Sequence, residues 1–389
     1  MNRKCAVAFV VLCCLAGAAR AESFNAGPEE LRDEALWKRV NAALRLGPCE
    51  VVLTNKTYVA EAGKAAFRID GVGADEHRLT IRPAAAGQAT FSDDPADTTR
   101  NVLLQFRNCR NLTLRDLTFT TPQLIASAFA LQDVKHVIVE GCRLIDLPQA
   151  YYSAMSVTGE KTDDVVVRGC TFRRVGQGAM THMIYGAYGV HRLSVVECDF
   201  TDCAGEFVRF RDETDFGVVF GCTFTSTGTY RKANPAMISV PLFNDDNPAS
   251  RPARPNYEYF GTHFLFANNR FKYGDAGSMK TRFAVSFSHS GFDPPGRTHL
   301  LTKEQAATLA TGSPDERQAV LKDNCGIELG DVHIFGNRYE GVDKKLVFQT
   351  YPAYGAKSRG FAGVVDLSDL INEVPVVHTV DEALAYYRK

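Results

Sequence analysis

Seven segments of this chain share one pattern: a short alternating run, a turn, then an aromatic or aliphatic residue. They are Asn111–Phe119, His136–Leu144, Asp164–Phe172, Arg192–Phe200, Phe216–Phe224, His263–Phe271 and Asp331–Tyr339. The first five begin 24 to 28 residues apart. A unit of that length is too small to close a core alone and suits one turn of a solenoid. Period-2 alternation sends Leu112 and Leu114, Val137 and Val139, and Val165 and Val167 toward the coil interior.

About ten residues after each of these runs comes a second strand-like segment: Ser127–Leu131, Ser153–Val157, Thr181–Tyr185, Glu206–Arg211, Ala236–Val240, Arg282–Phe287 and Leu346–Thr350. Together they predict a second parallel sheet, since the coil itself supplies the crossovers that parallel strands need. Residues Glu29–Leu46 predict an amphipathic cap helix burying Leu31, Ala35, Leu36, Val40, Ala43 and Leu44, followed by an opening strand, Glu50–Tyr58. The expected fold is all-β, a right-handed parallel β-helix with an N-terminal cap helix and a small helical insertion.

The expected organisation is a signal peptide at 1–21 and one β-helix domain at 22–389. Within it we expect a cap at 28–60, coils over about 75–350, insertions at 243–258 and 292–326, and a C-terminal cap at 351–389. The leader reading rests on Arg3 and Lys4, the short apolar run Cys5–Leu15 and a small-x-small site ending at Ala21. Lipid attachment at Cys13 or Cys14 is disfavoured, because Leu12 and Cys13 precede them. The product is expected to be secreted or periplasmic. In the second insertion, Lys303–Leu309 and Pro314–Leu321 read as helices.

Cys142, Cys170, Cys198 and Cys222 occupy one position of the repeat, continued by Asn269 and Asn337. This predicts an interior ladder of small fillers. Two disulfides within it are disfavoured by adjacent-strand geometry. With 44 basic and 45 acidic residues interspersed, the whole chain carries no signature of nucleic-acid or membrane-surface binding.

These features resemble the pectate-lyase-like superfamily of parallel β-helix proteins over most of the mature chain. The cap helix, Val51–Tyr58 and Leu79–Arg82 resemble the chondroitinase-B and alginate-lyase branch, as does Cys203–Arg211 through Phe224. The resemblance implies activity on extracellular acidic polysaccharide. It does not carry over that branch's machinery. Glu206 matches its first calcium-binding glutamate, but Val208 stands at the second, Glu213 stands at its catalytic lysine, and Ala236–Pro241 lacks its arginine.

Different residues must therefore carry any chemistry. The outward stripe of the second sheet is expected to hold Ser156, His182, Arg209, Arg211, Ser239, Lys280 and Arg282. Two like charges on one strand repel, so Asp212, Glu213 and Asp215, or an anionic ligand, should compensate Arg209 and Arg211. β-Elimination from a uronate needs a base, an acid and a cation for the enolate. His182 is the candidate base, Tyr185 the acid, and Arg209 with Arg211 the carboxylate clamp. Alternation from His182 would instead turn Tyr185 inward. Ser156, Asp212, Glu213, Ser239, Lys280 and Arg282 are candidate substrate contacts.

The expected activity is a lyase on an anionic, uronate-containing polysaccharide. A glycoside hydrolase, using Asp212, Glu213 or Asp215 with Asp245 or Asp246, is the second reading. A non-catalytic glycan-binding module is the third. No cofactor is expected, and calcium is the one ion that Glu206 and nearby acids could hold. The expected partner is acidic polysaccharide bound by a monomer.

Overall fold

The computed structural model describes residues 21–60, 67–86, 88–96, 101–230, 235–244, 260–274, 281–291, 301–350 and 363–388. The expected leader falls almost wholly outside them, as do Asp245, Asp246, Lys280 and most of the first insertion.

Each coil contributes three strands to three parallel sheets, not two. Among the described residues, the first sheet stacks ten strands from Glu22–Ala26 to Val332–Phe335, and the second nine from Thr57–Ala60 to Arg338–Glu340. The third stacks ten from Phe67–Asp70 to Gly363–Asp366. Coils wound through parallel strands in this way are right-handed, so the molecule is a right-handed parallel β-helix. The unexpected sheet is the second. Its strands, such as Thr118–Phe119 and Thr171–Val175, are too short to show a period. It holds the aromatic positions of the repeat, stacked as Phe172–Phe200–Phe224–Phe271–Tyr339 with ring centroids 4.8 to 5.5 Å apart.

A left-handed backbone residue turns the chain between the first and second sheets in successive coils: Gly141, Gly169, Glu197, Gly221, Asn268 and Gly336. The next residue is a member of the Cys/Asn ladder, which sits inside that corner with the four cysteines as free, buried thiols. The ladder is more than filler. Asn269 Oδ1 accepts the Cys222 amide at 2.9 Å, and Asn337 Oδ1 accepts the Asn269 amide at 2.8 Å. Sulfur takes the same role more weakly: the Cys170 amide meets Cys198 Sγ at 3.4 Å, and the Cys198 amide meets Cys222 Sγ at 3.5 Å. Either side chain answers a corner N–H that would otherwise be buried without a partner.

The cap helix is broken in two, α1 (Pro28–Arg32) and α2 (Glu34–Ala43), with Asp33 capping the second through the Ala35 amide at 2.8 Å. The break shifts the helical phase, so Trp37 is buried where Ala35 was expected, and Ala35 is exposed. Both helices of the second insertion form, as α3 (Lys303–Thr311) and α4 (Pro314–Cys325), each opened by a capping box. At the C-terminus, Gly363–Asp366 closes the third sheet as its antiparallel edge. Helix α5 (Val380–Ala385) covers outward Val196, Val218 and Phe220 of the first sheet.

The ladder yields a test. Asn269→Ala strands the Cys222 amide and the Val219 carbonyl, which Asn269 Nδ2 donates to at 2.9 Å. It should cost about 2 kcal/mol, seen as a lowered denaturation midpoint. Asn269→Cys should recover part of that loss, since four rungs already carry cysteine there.

Candidate functional site

The third sheet carries the polar stripe. Most of its strands carry, within or just before them, two consecutive residues in the core, among them Ala154–Met155, Met183–Ile184, Phe207–Val208 and Met237–Ile238. Strict alternation therefore fails once in those strands. This places His182 and Tyr185, three residues apart, on the same outer face, their rings stacked at 5.4 Å and 15°. The expectation that parity from His182 turns Tyr185 inward is corrected by this doubled core position.

Register then builds three outward columns. One runs Val102, Ser127, Ser153, His182. The next runs Arg68, Gln105, Ala130, Ser156, Tyr185, Arg209, Ser239, Ser286. The last runs Arg107, Gln132, Thr158, Ala187, Arg211. Between them lies a concave pocket of about 530 Å³ whose wall includes Ser156, His182, Tyr185, Tyr188, Arg209 and Arg211. Tyr152 and Met180, each about half exposed, stand at its rim.

Behind its wall, His182 Nδ1 lies 2.7 Å from Glu206 Oε2, and Arg209 Nη1 lies 3.2 Å from His182 Nε2 and 3.6 Å from Glu206 Oε2. All three residues are at most 3% exposed. A guanidinium can only donate, so Nε2 must be the acceptor and Nδ1 carries the proton toward Glu206. The imidazole is neutral, its pKa lowered to about 4 chiefly by burial and further by Arg209 and Arg211, against the opposing pull of Glu206. Beside this trio, Arg211 Nη1 donates to the Tyr185 hydroxyl at 3.1 Å, and that hydroxyl donates to Tyr188 at 3.4 Å. The Arg211 guanidinium sits 5.7 Å over the Tyr188 ring.

Other sequence candidates fall elsewhere. Asp212 is fully buried in the left-handed turn after Arg211, and Glu213 continues that turn; neither lines the pocket. Asp215 does not compensate the arginines. It accepts the Thr262 amide at 2.6 Å and hydroxyl at 3.2 Å, and burial raises its pKa. Ser239 is in the stripe but buried beyond the pocket wall, and Arg282 is tied to Asp343 at 2.9 Å. Glu206 does not fit a calcium ligand, since its carboxylate is turned to His182 and Arg209. Among the described residues no three His, Cys, Asp or Glu groups converge to hold a metal. Glu206 as histidine partner, and Tyr152, Met180 and Tyr188 as wall, were not foreseen; the phenols flanking the stripe were the available signal.

No protein-family model matches this chain, and no curated protein does. Among solved structures, an alginate lyase from Paenibacillus sp. is 15% identical over 70% of this chain and 94% of its own, with a TM-score of 0.48. A mannuronic acid specific family 6 polysaccharide lyase from human gut microbiota is 11% identical over 93% of both chains, with a TM-score of 0.31. The A-module of a mannuronan C-5 epimerase from Azotobacter vinelandii is 9% identical over 85% of this chain and 95% of its own, with a TM-score of 0.33.

The buried imidazole sets a pH test. Its folded pKa lies below the unfolded value of about 6.5. Its contribution is therefore intact above pH 6.5 and is lost as the pH falls toward 4, where the unfolded state takes the proton first. The loss should reach about 3 kcal/mol. Denaturation of the native chain and His182→Gln at several pH values should show their stability difference changing within that window and flat above it.

Proposed function

We propose that this chain is an exported lyase that cleaves an anionic, uronate-containing polysaccharide by β-elimination. The observation that carries the reading is one concave wall shared by an imidazole, three phenols and two guanidiniums. Among the described residues that wall presents no carboxyl group. Glycoside hydrolysis requires two carboxyls flanking the bond, so the same observation favours elimination over the hydrolase reading.

In the proposed reaction, Arg209 and Arg211 hold the uronate carboxylate and stabilise the enolate that forms when the adjacent C5 proton leaves. The electron pair from that C–H bond becomes the C4–C5 double bond, the C4–O bond breaks, and Tyr185 protonates the departing oxygen. His182 is the base. In the free protein its Nε2 is held by Arg209. A substrate carboxylate is the stronger acceptor for a guanidinium and would draw Arg209 away. Neutralising the two arginines also removes two of the influences that lower the imidazole pKa. Substrate binding thereby frees the base and strengthens it.

Incubation with alginate, pectate, chondroitin and hyaluronan should raise absorbance near 232 nm on at least one of them, the mark of an unsaturated uronate. New reducing ends without that absorbance would mean hydrolysis. Tyr185→Phe, which keeps the stacked ring, should lower kcat roughly 10²- to 10⁴-fold. Arg211→Lys, which keeps charge but loses the fork, should mainly raise KM. Full activity in both variants would refute the assignment.

A further inference from the structure

The pocket has two unlike flanks across its width. On one side the third outward column reaches Arg211, whose guanidinium also lies over the Tyr188 ring. On the other side, just before the first column, the wall is formed by Ala126, Tyr152 and Met180. These precede Ser127, Ser153 and His182, which are register partners on three successive strands. Tyr152 is 50% exposed and Met180 48% exposed. Among the described residues six large apolar side chains are exposed, and two of the six share this rim. Apolar side chains left open at the edge of a concave site mark a ligand contact. The serines beneath them offer a ligand little. Ser127 and Ser153 are buried, and their hydroxyls are hydrogen-bonded to each other at 2.8 Å.

Both exposed side chains are braced. The Tyr151 ring packs against Tyr152 at 4.6 Å and 86°, edge to face. Thr181, between Met180 and His182, shares its hydroxyl between the Ala150 carbonyl at 3.0 Å and the Tyr151 carbonyl at 3.1 Å. That one buried hydroxyl ties the backbone next to Met180 to the backbone next to Tyr152.

We infer that Tyr152 and Met180 form an apolar platform for the sugar ring next to the uronate held by Arg209 and Arg211, and that this second ring is selected by its C–H face and not by charge. A phenol ring supplies a flat apolar surface with few rotamers to lose, and a thioether adapts to what lies beside it. The class of ligand that fits is a pyranose, charged or neutral, with one face of C–H groups uncovered. The position of the first ring rests on the lyase reading; the chemistry of the platform does not.

Calorimetric titration with tetrasaccharides of alginate, pectate, chondroitin and hyaluronan tests it, in a Tyr185→Phe background that spares the ligand. With the tightest binder of these, adding Tyr152→Ala should weaken binding roughly tenfold. It should also make the heat-capacity change of binding less negative, the mark of apolar surface no longer buried. Met180→Gln should shift both quantities the same way, and Tyr152→Trp should hold both at the parent values. Parent affinity in Tyr152→Ala or Met180→Gln, weaker binding with an unchanged heat-capacity change, or an Ala-like Tyr152→Trp would each overturn the platform. A rise in absorbance near 232 nm from the native chain would leave the lyase reading standing in those cases. The expected platform behaviour with no such rise on any of the polymers would sink the lyase reading and keep the platform. Failure to bind any of the tetrasaccharides would sink both.

Discussion

The parallel register between successive coils is the constraint on which the rest of this molecule depends. Because each strand hydrogen-bonds to its equivalent one turn away, side chains 24 to 29 residues apart in sequence become neighbours in space. The same rule makes the aromatic stack, the corner ladder of cysteine and asparagine, and the outward columns of the third sheet. It also explains why an uncompromising core can coexist with a polar face. The interior columns are almost wholly apolar, and polar side chains collect on the outer side without disturbing the ladder.

Within that frame the electrostatics of the pocket follow from burial. Arg209, Glu206 and His182 are withdrawn from water together, and each answers a need of the others. The carboxylate offsets the guanidinium and fixes the imidazole tautomer. The guanidinium occupies the remaining ring nitrogen. A buried trio of this kind is costly to assemble, and removing one member would leave the others uncompensated. Its nearest polar neighbours, Arg211 and Tyr185, reach the same cavity from the adjoining column positions.

Much of this was legible from residue order alone. The repeat, the stack at Cys142 through Asn337, the insertion helices and the gathering of His182, Arg209 and Arg211 all follow from counting positions. What was not legible had local physical causes. The second sheet escaped because two- to five-residue strands have no measurable period. Alternation argued against Tyr185 as the acid because the doubled core residues Met183 and Ile184 cannot be seen in the residue order. Asp33 ends one helix and begins the next, which exchanged Trp37 for Ala35. The pairing of Glu206 with His182 was missed because the two lie on different coils. Arg282 precedes its strand, where Asp343 claims it before any ligand could.

The central claim is that a uronate carboxylate belongs between Arg209 and Arg211. A crystal structure of the Tyr185→Phe variant with a short oligouronate tests it most directly. The account predicts a uronate ring with its carboxylate on the two guanidiniums and Arg209 withdrawn from His182 Nε2. Sugar bound on another sheet, or Arg209 still on Nε2 with the carboxylate elsewhere, would contradict it.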